Sequence, residues 1–191
     1  MEQNKEMTAQ ESLKIITETL NNSRRSILRN NSKGFILWGV LLTVMSLVVY
    51  LLWHTTGNGA WNLLWFAMPV IGYPLAFLLY RKDSAVPQSF VGNLLRQVWS
   101  IFGAFSIVFA AIAIFIDMPI TLTIVMILGI AESISGVILK NWPIIIGGFI
   151  IGIGGGVAAH LLQQDDAQIL LFTLGGIVLA VTGLIIHFQN K

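Results

Sequence analysis

The sequence predicts an all-α protein, a polytopic membrane bundle of six transmembrane helices preceded by an amphipathic helix. Of its 191 residues, 55% are hydrophobic and only 10% are charged, whereas charged residues make up about a quarter of an ordinary soluble domain. Apolar runs of about 20 residues, the length that crosses a hydrocarbon core of about 30 Å, occur six times along the chain. Composition and run length together predict an integral membrane protein.

The chain begins with a polar segment in which apolar residues return at helical spacing. Leu13, Ile16 and Leu20 are separated by charged and polar residues, a pattern that predicts an amphipathic helix. We therefore divide the chain into a cytoplasmic unit, 1–33, and a transmembrane domain, 34–191. Basic side chains near a bilayer are attracted to anionic headgroups. The sequence predicts that this unit contacts anionic lipid or a cytoplasmic partner through Arg24, Arg25, Arg29 and Lys33.

Six apolar runs follow this basic segment. Lys and Arg collect in the short cytoplasmic segments of membrane proteins. With the N-terminus inside, all 11 Lys and Arg residues fall in inner segments. The only charged residues in the outer loops are aspartates. This charge pattern predicts that both termini are cytoplasmic. The predicted spans cover residues 35–53, 62–80, 98–116, 120–139, 143–162 and 168–187.

One carboxylate, Glu132, lies inside the fourth predicted span. An acidic group at this depth is costly and usually faces a protein interior or a wet cavity. No Lys or Arg lies inside a predicted span to pair with it. The alternative is a protonated Glu132 that holds a neighbouring helix by a hydrogen bond. Residues at similar depth on other spans, and two serines beside Glu132, complete a candidate ligand or ion site of Glu132, Tyr73, Thr43, Ser106, Ser133 and Ser135.

The second predicted span contains two prolines close together. Proline removes a backbone N–H donor and loosens a helix, and broken helices near the middle of the membrane form the binding sites of many transporters. The sequence therefore predicts a helix break at Pro69, Gly72 and Pro74, at the depth of Glu132. An ordinary proline kink without a site is the alternative.

The fifth predicted span carries glycines at four-residue spacing, Gly148, Gly152 and Gly156. Small residues at this spacing form a ridge on which another helix can approach closely. We predict that the ridge packs inside the bundle, with homodimerisation as the alternative.

Several kinds of chemistry are not predicted by the sequence. The chain has no cysteine, which excludes thiolate ligands and nucleophiles. His54, His160 and His187 fall near span ends on different sides of the predicted membrane, so they predict no metal site. Because catalytic motifs are absent from the sequence, we expect no enzyme, no cofactor and no nucleic-acid partner.

Four segments carry a family resemblance: ESLKIITETLNNSRRS, FILWGVLL, WFAMPVIGYP and SGVILKNWPIIIGG. In these segments the chain resembles a group of small uncharacterised bacterial inner-membrane proteins found chiefly among Bacteroidetes, and the similarity runs through most of the chain. The resemblance implies six spans, a cytoplasmic amphipathic start and a location in the bacterial inner membrane. It brings no assigned activity and no functional residues.

Two functional classes follow from these observations. The first is a non-enzymatic regulatory or structural membrane protein that acts through the bilayer and through partners of its N-terminal helix. The alternative is a small proton- or cation-linked transporter or channel that uses Glu132 at a cavity in the middle of the membrane. The two classes differ in whether flux depends on Glu132.

Overall fold

The computed structural model describes residues 9–80, 90–162 and 164–189, and within these ranges the chain is helical apart from short connections and contains no strand. The model confirms the all-α class, and it contains six helical segments long and apolar enough to cross a membrane. In chain order the elements are α1 (Ala9–Thr56), a 3-10 helix (Gly59–Phe66), α2 (Ala67–Tyr80), α3 (Phe90–Ile112), α4 (Ile120–Leu139), α5 (Trp142–Phe149), a π-helix (Ile150–Gly154), α6 (Gly155–Leu161), α7 (Asp165–Gln168) and α8 (Leu170–Gln189).

The helix α1 includes both the predicted amphipathic segment and the first span. Its 48 residues are about 72 Å long at ~1.5 Å per residue, more than twice a hydrocarbon core of about 30 Å. Only Ser32–Thr56 is apolar enough to be a span. Leu28 is already buried in a cluster with residues of α3, α4, α5 and α8, so α1 packs on the bundle before this span begins. Residues 1–8 and the side chains of Arg24, Arg25 and Arg29 lie outside the described residues.

The second span corrects the predicted helix break. The helix α2 is a continuous α-helix through Pro69, Gly72 and Pro74. Pro69 lies in the first turn, where a missing N–H costs least, and Pro74 is exposed on the outside of the bundle. The change of helix geometry comes earlier, where the 3-10 helix gives way to α2 after Phe66.

The third span also differs from its predicted limits. The helix α3 begins at Phe90 instead of Val98 and ends at Ile112 instead of Ile116. The side chain of Arg96 is exposed while its neighbour Leu95 is buried in the core. A basic side chain near a span end can extend to the headgroups, so α3 accommodates polar residues that a hydropathy profile excludes.

Two pairs of helices form the close contacts of the bundle. The helix α1 packs along α8, and this is the most extensive contact in the described structure. The helix α4 packs against the fifth span, which consists of α5, the π-helix and α6. In the second and third spans only 6% of the most apolar stretch is buried, against 56% in the sixth. The second and third spans are therefore peripheral and expose their apolar side chains.

Small residues allow the α1–α8 approach. A Cβ atom added to Gly39 would lie 2.5 Å from the backbone nitrogen of Ala180, and one added to Gly176 would lie 2.7 Å from the carbonyl oxygen of Gly39. The buried hydroxyls of Ser46 and Thr173 lie 2.7 Å apart across the same contact. The two helices are thus in backbone contact and share an interhelical hydrogen bond.

Candidate functional site

Glu132 lies on α4 at the point where this helix meets α5 and α8, and its side chain is fully buried, with 0% exposed. Oε1 of Glu132 faces Gly147 of α5, where an added Cβ atom would lie 2.7 Å from that oxygen. The hydroxyl oxygen of Thr182 on α8 lies 3.1 Å from the same Oε1. We call these three residues, Glu132, Gly147 and Thr182, the Glu132 junction.

The Thr182 hydroxyl is within hydrogen-bond distance of three oxygens. Besides Glu132 Oε1 at 3.1 Å, Oγ1 lies 2.5 Å from the carbonyl oxygen of Val178 and 3.1 Å from that of Leu179. A hydroxyl has one proton to donate and two lone pairs with which to accept. The direction of each bond at the junction is therefore restricted.

The second carboxyl oxygen has different surroundings. Oε2 of Glu132 is buried and has no hydrogen-bond partner among the described residues. Most buried polar atoms in native proteins are hydrogen-bonded, so an exception requires an explanation. The state of this oxygen is the main chemical question at the site.

The two predicted serines, Ser133 and Ser135, lie near Glu132 on α4 but make other contacts. Ser135 is buried, and its hydroxyl donates to the carbonyl oxygen of Ala131 at 2.7 Å. Ser133 lies against Gly148, on the side of α4 that packs on the fifth span. The Ser135 hydroxyl is thus used within its own helix, and Ser133 belongs to the helix crossing.

The structure does not bring the three predicted neighbours from other spans to the carboxyl group. Tyr73 is 66% exposed, and its ring packs edge-to-face on Trp38 with centroids 5.5 Å apart. The hydroxyl of Thr43 donates to the carbonyl oxygen of Gly39 at 2.8 Å. The hydroxyl of Ser106 donates to the carbonyl oxygen of Phe102 within α3 at 2.9 Å.

Helix register explains the position of Thr43. Thr43 lies against Gly176 of α8, and Gly176 is about 9 Å along that helix from Thr182 at ~1.5 Å per residue. Counting residues from the end of each span assumes upright helices with a common origin. The register of α1 on α8 places Thr43 well away from the carboxyl group.

The predicted glycine ridge faces α4 along its whole length. A Cβ atom on Gly148 or Gly152 would meet atoms of Gly129, and one on Gly156 would lie 3.2 Å from the side chain of Met126. The ridge is thus occupied by a helix of the same chain.

A second polar contact joins the first and last spans at the end of the bundle that carries the acidic residues. Nδ1 of His54 lies 2.7 Å from Oδ2 of Asp166, and the ring of Tyr50 stacks on the His54 ring at 5.4 Å. This contact connects the last turn of α1 with α7. The described residues contain no group of three or more His, Asp or Glu side chains that could hold a metal ion.

No protein family model, no curated protein and no solved structure matches this chain. Its function is therefore inferred from its own residues.

Two residues of the Glu132 junction, Thr182 and Gly147, were not predicted from the sequence. Thr182 is one of only two hydroxyl residues in the sixth predicted span, and a rare polar residue in an apolar span is a signal that the sequence contains. Gly147 adjoins the ridge glycine Gly148 and has no signal of its own, because its importance depends on which side chain lies opposite.

Proposed function

We propose that this protein is a non-enzymatic regulatory or structural protein of the bacterial inner membrane, with six spans and both termini in the cytoplasm. One observation carries the proposal. Glu132, the only Asp, Glu, Lys or Arg in the middle of a predicted span, is enclosed by three closely packed helices, and its hydrogen-bonding neighbour is a single hydroxyl. A transport site built from facing polar groups of several spans would instead need side chains such as Tyr73 and Ser106 beside the carboxyl group.

The N-terminal segment supports a role in docking. Because α1 continues through Lys33 without interruption, the amphipathic segment extends the axis of the first span. A segment lying flat on the bilayer would need a sharp bend at this point, and sharp bends in helices have identifiable local causes such as proline. No proline occurs before residue 69. This arrangement favours a cytoplasmic partner over a helix lying on the lipid surface.

Flux measurements test the proposal directly. Purified protein is reconstituted into vesicles, and proton and cation flux are measured for the wild type, Glu132→Gln and empty vesicles. We expect the same flux in all three. Flux in the wild type that disappears in Glu132→Gln, and persists in the control Ser106→Ala, would contradict the proposal.

A proton- or cation-linked transporter is the second candidate. The unpartnered Oε2 of Glu132 and the π-helix Ile150–Gly154 in the neighbouring fifth span favour it, since short π-helical segments are frequent at functional sites. This candidate predicts flux dependent on Glu132, the opposite outcome of the same vesicle experiment.

The docking role has its own test. Replacing Arg24, Arg25 and Arg29 together with Gln removes the basic cluster, and we expect weaker recovery of cytoplasmic partners in crosslinking from whole cells. The control replaces Lys14 with Gln, because Lys14 is exposed on the same segment but outside the cluster. Unchanged recovery in the triple variant would contradict the docking role. If the triple variant keeps its partners but loses binding to anionic vesicles, the basic cluster contacts lipid instead.

A further inference from the structure

We infer that Glu132 is a proton-binding site in which the neutral acid donates from Oε1 to Thr182 Oγ1, while the Thr182 hydroxyl donates to the carbonyl oxygen of Val178. The ligand is thus a proton, held by a two-step hydrogen-bond chain from α4 to the backbone of α8. This inference rests on the proposed function, since it takes Glu132 to belong to the closed interior of a membrane protein.

The distances around Thr182 give the direction of the chain. The contact of Oγ1 with the Val178 carbonyl oxygen, at 2.5 Å, is the shortest of the three, against 3.1 Å to Glu132 Oε1. A carbonyl oxygen can only accept, and we assign the single Thr182 proton to this shortest contact. Oγ1 then presents a lone pair to Glu132 Oε1. Two oxygens that both present lone pairs form no hydrogen bond, so a hydrogen bond across this 3.1 Å contact requires a proton on Glu132.

The unpartnered Oε2 agrees with this assignment. In the neutral acid with its proton on Oε1, Oε2 is an uncharged carbonyl oxygen. Burying an uncharged acceptor without a partner costs far less free energy than burying an isolated carboxylate. In the ionised form half of the charge would lie on Oε2, where the described residues offer no donor. Arg96 lies inside α3 and the other basic residues lie at or beyond the span ends, and no described Lys or Arg is hydrogen-bonded to Oε2.

The same geometry disfavours a metal cation. Hard cations such as Ca²⁺ and Mg²⁺ take about six oxygen ligands, whereas one side-chain oxygen, that of Thr182, is within hydrogen-bond distance of the carboxyl group among the described residues. A proton needs a single acceptor oxygen. Gly147 also limits the space, because Oε1 lies against its backbone.

Infrared spectroscopy of the protein in lipid vesicles tests the inference, because a protonated carboxylic acid and a carboxylate have separate carbonyl bands. At neutral pH we expect a protonated-acid band in the wild type that is absent in Glu132→Gln. In Thr182→Val the band should remain but shift, because the acid loses its acceptor. The control Thr123→Val should leave the band in place, since the Thr123 hydroxyl donates to the carbonyl oxygen of Pro119, the residue before α4.

A second measurement avoids dependence on the folding of Glu132→Gln. The other four glutamates, Glu2, Glu6, Glu11 and Glu18, all precede the first span. Replacing them with Gln leaves Glu132 as the only glutamate, so that isotope-labelled glutamate reports on this residue alone. A carboxylate band from Glu132 at neutral pH would overturn the inference. A protonated-acid band that Thr182→Val leaves unshifted would overturn the hydrogen-bond chain.

The two proposals fail in different experiments. Glu132-dependent flux in vesicles would overturn the proposed function whatever the infrared bands show. A carboxylate band from Glu132 would overturn the present inference even in a protein without flux.

Discussion

The surroundings of Glu132 depend on an atom that α5 lacks, the Cβ of residue 147. The Glu132 carboxyl group can lie this close to the α5 backbone only where no side chain intervenes, and Gly147 provides that space. Thr182 then lies within reach from the opposite helix. Three residues on three helices thus fix one polar group inside an apolar core.

Replacing Gly147 with Ala should destabilise the protein by about 1 to 3 kcal/mol, the usual cost of overpacking. The added Cβ would lie 2.7 Å from Glu132 Oε1 and 3.2 Å from Cγ2 of Thr182. The measurement is thermal unfolding in detergent. Gly154→Ala is the matched control in the same span, because nothing lies within 4 Å of its added Cβ. Equal melting temperatures for the two variants would contradict this packing.

Replacing Thr182 with Val removes the hydroxyl and keeps the shape of the side chain. We expect a loss of about 0.6 to 1.7 kcal/mol, from the average to the largest value found by double-mutant cycles for hydrogen bonds between membrane helices. Thr123→Val is the control, since its hydroxyl bonds only to the carbonyl oxygen of Pro119 at the start of the same helix. The free energy of unfolding in mixed micelles distinguishes them. A loss no greater than that of the control would argue against an interhelical bond at Thr182.

Among the elements, α4 and the fifth span show how glycines set helix contact. The two helices approach so closely that Gly129 of α4 lies against Gly152 and the carbonyl oxygen of Gly148. In lipid no hydrophobic force draws apolar helices together, and close packing of small residues takes its place. The contact is asymmetric: a Cβ atom added to Gly129 points at the backbone of the fifth span, whereas one added to Gly152 has more space beside α4.

This asymmetry predicts an order of stability for three variants. Gly129→Ala should cost most, because its Cβ would lie 2.3 Å from the Cα of Gly152 and the helices must separate. Gly152→Ala should cost less, since its Cβ would lie 3.3 Å from the Cα of Gly129, and Gly156→Ala least, because it meets only the flexible Met126 side chain. Chemical unfolding in micelles measures the order. A reversed order would contradict the helix crossing.

At the scale of the whole molecule, the first and last spans close the bundle by packing on each other. The α1–α8 contact combines backbone approach at Gly39, the Ser46–Thr173 hydrogen bond and, at the acidic end, the pair of His54 and Asp166. The ends of the transmembrane domain are thereby adjacent.

A disulfide tests this pairing in a chain that has no cysteine of its own. The Ser46 and Thr173 hydroxyl oxygens lie 2.7 Å apart, so the ends of the two side chains meet and cysteine sulfurs at these positions can approach to the ~2.0 Å bond length of a disulfide. We expect the double variant Ser46→Cys with Thr173→Cys to form an intramolecular crosslink under mild oxidation, seen as a mobility shift reversed by reductant. The control pair, Ser46→Cys with Ser106→Cys, should stay reduced. Crosslinking in the control alone would contradict the α1–α8 contact.

Single cysteines also test the proposed orientation. Asn58→Cys, in the connection after α1, should react with a membrane-impermeant maleimide added to intact spheroplasts. Lys140→Cys, which is exposed in the connection between α4 and α5, should react only after permeabilisation. The opposite labelling pattern would show that both termini face outward. Labelling of both positions from outside would contradict the proposed orientation, because the two positions are predicted to lie on opposite sides of the membrane.

The sequence by itself determined the helical class, the number of helices long and apolar enough to cross a membrane, and the residue at the centre of the candidate site. These features are local: a stretch long and apolar enough to span a bilayer is recognisable without its neighbours, and an acid such as Glu132 inside one is conspicuous. The limits of α4 were predicted from the sequence to the residue. Those of α3 were not, because Arg96 lies within the helix near its start.

Tertiary structure alone decided which helices touch and which side chains meet. Membrane helices are apolar on every face, so hydropathy does not indicate which helix packs on which face. Small residues show where another helix can approach closely, but not which helix it is. The sequence therefore grouped Tyr73, Thr43 and Ser106 with Glu132 by depth. In the structure the partner of the carboxyl group is instead Thr182. The register of α8 brings Thr182 to Glu132, and Gly147 leaves space for the carboxyl group beside α5.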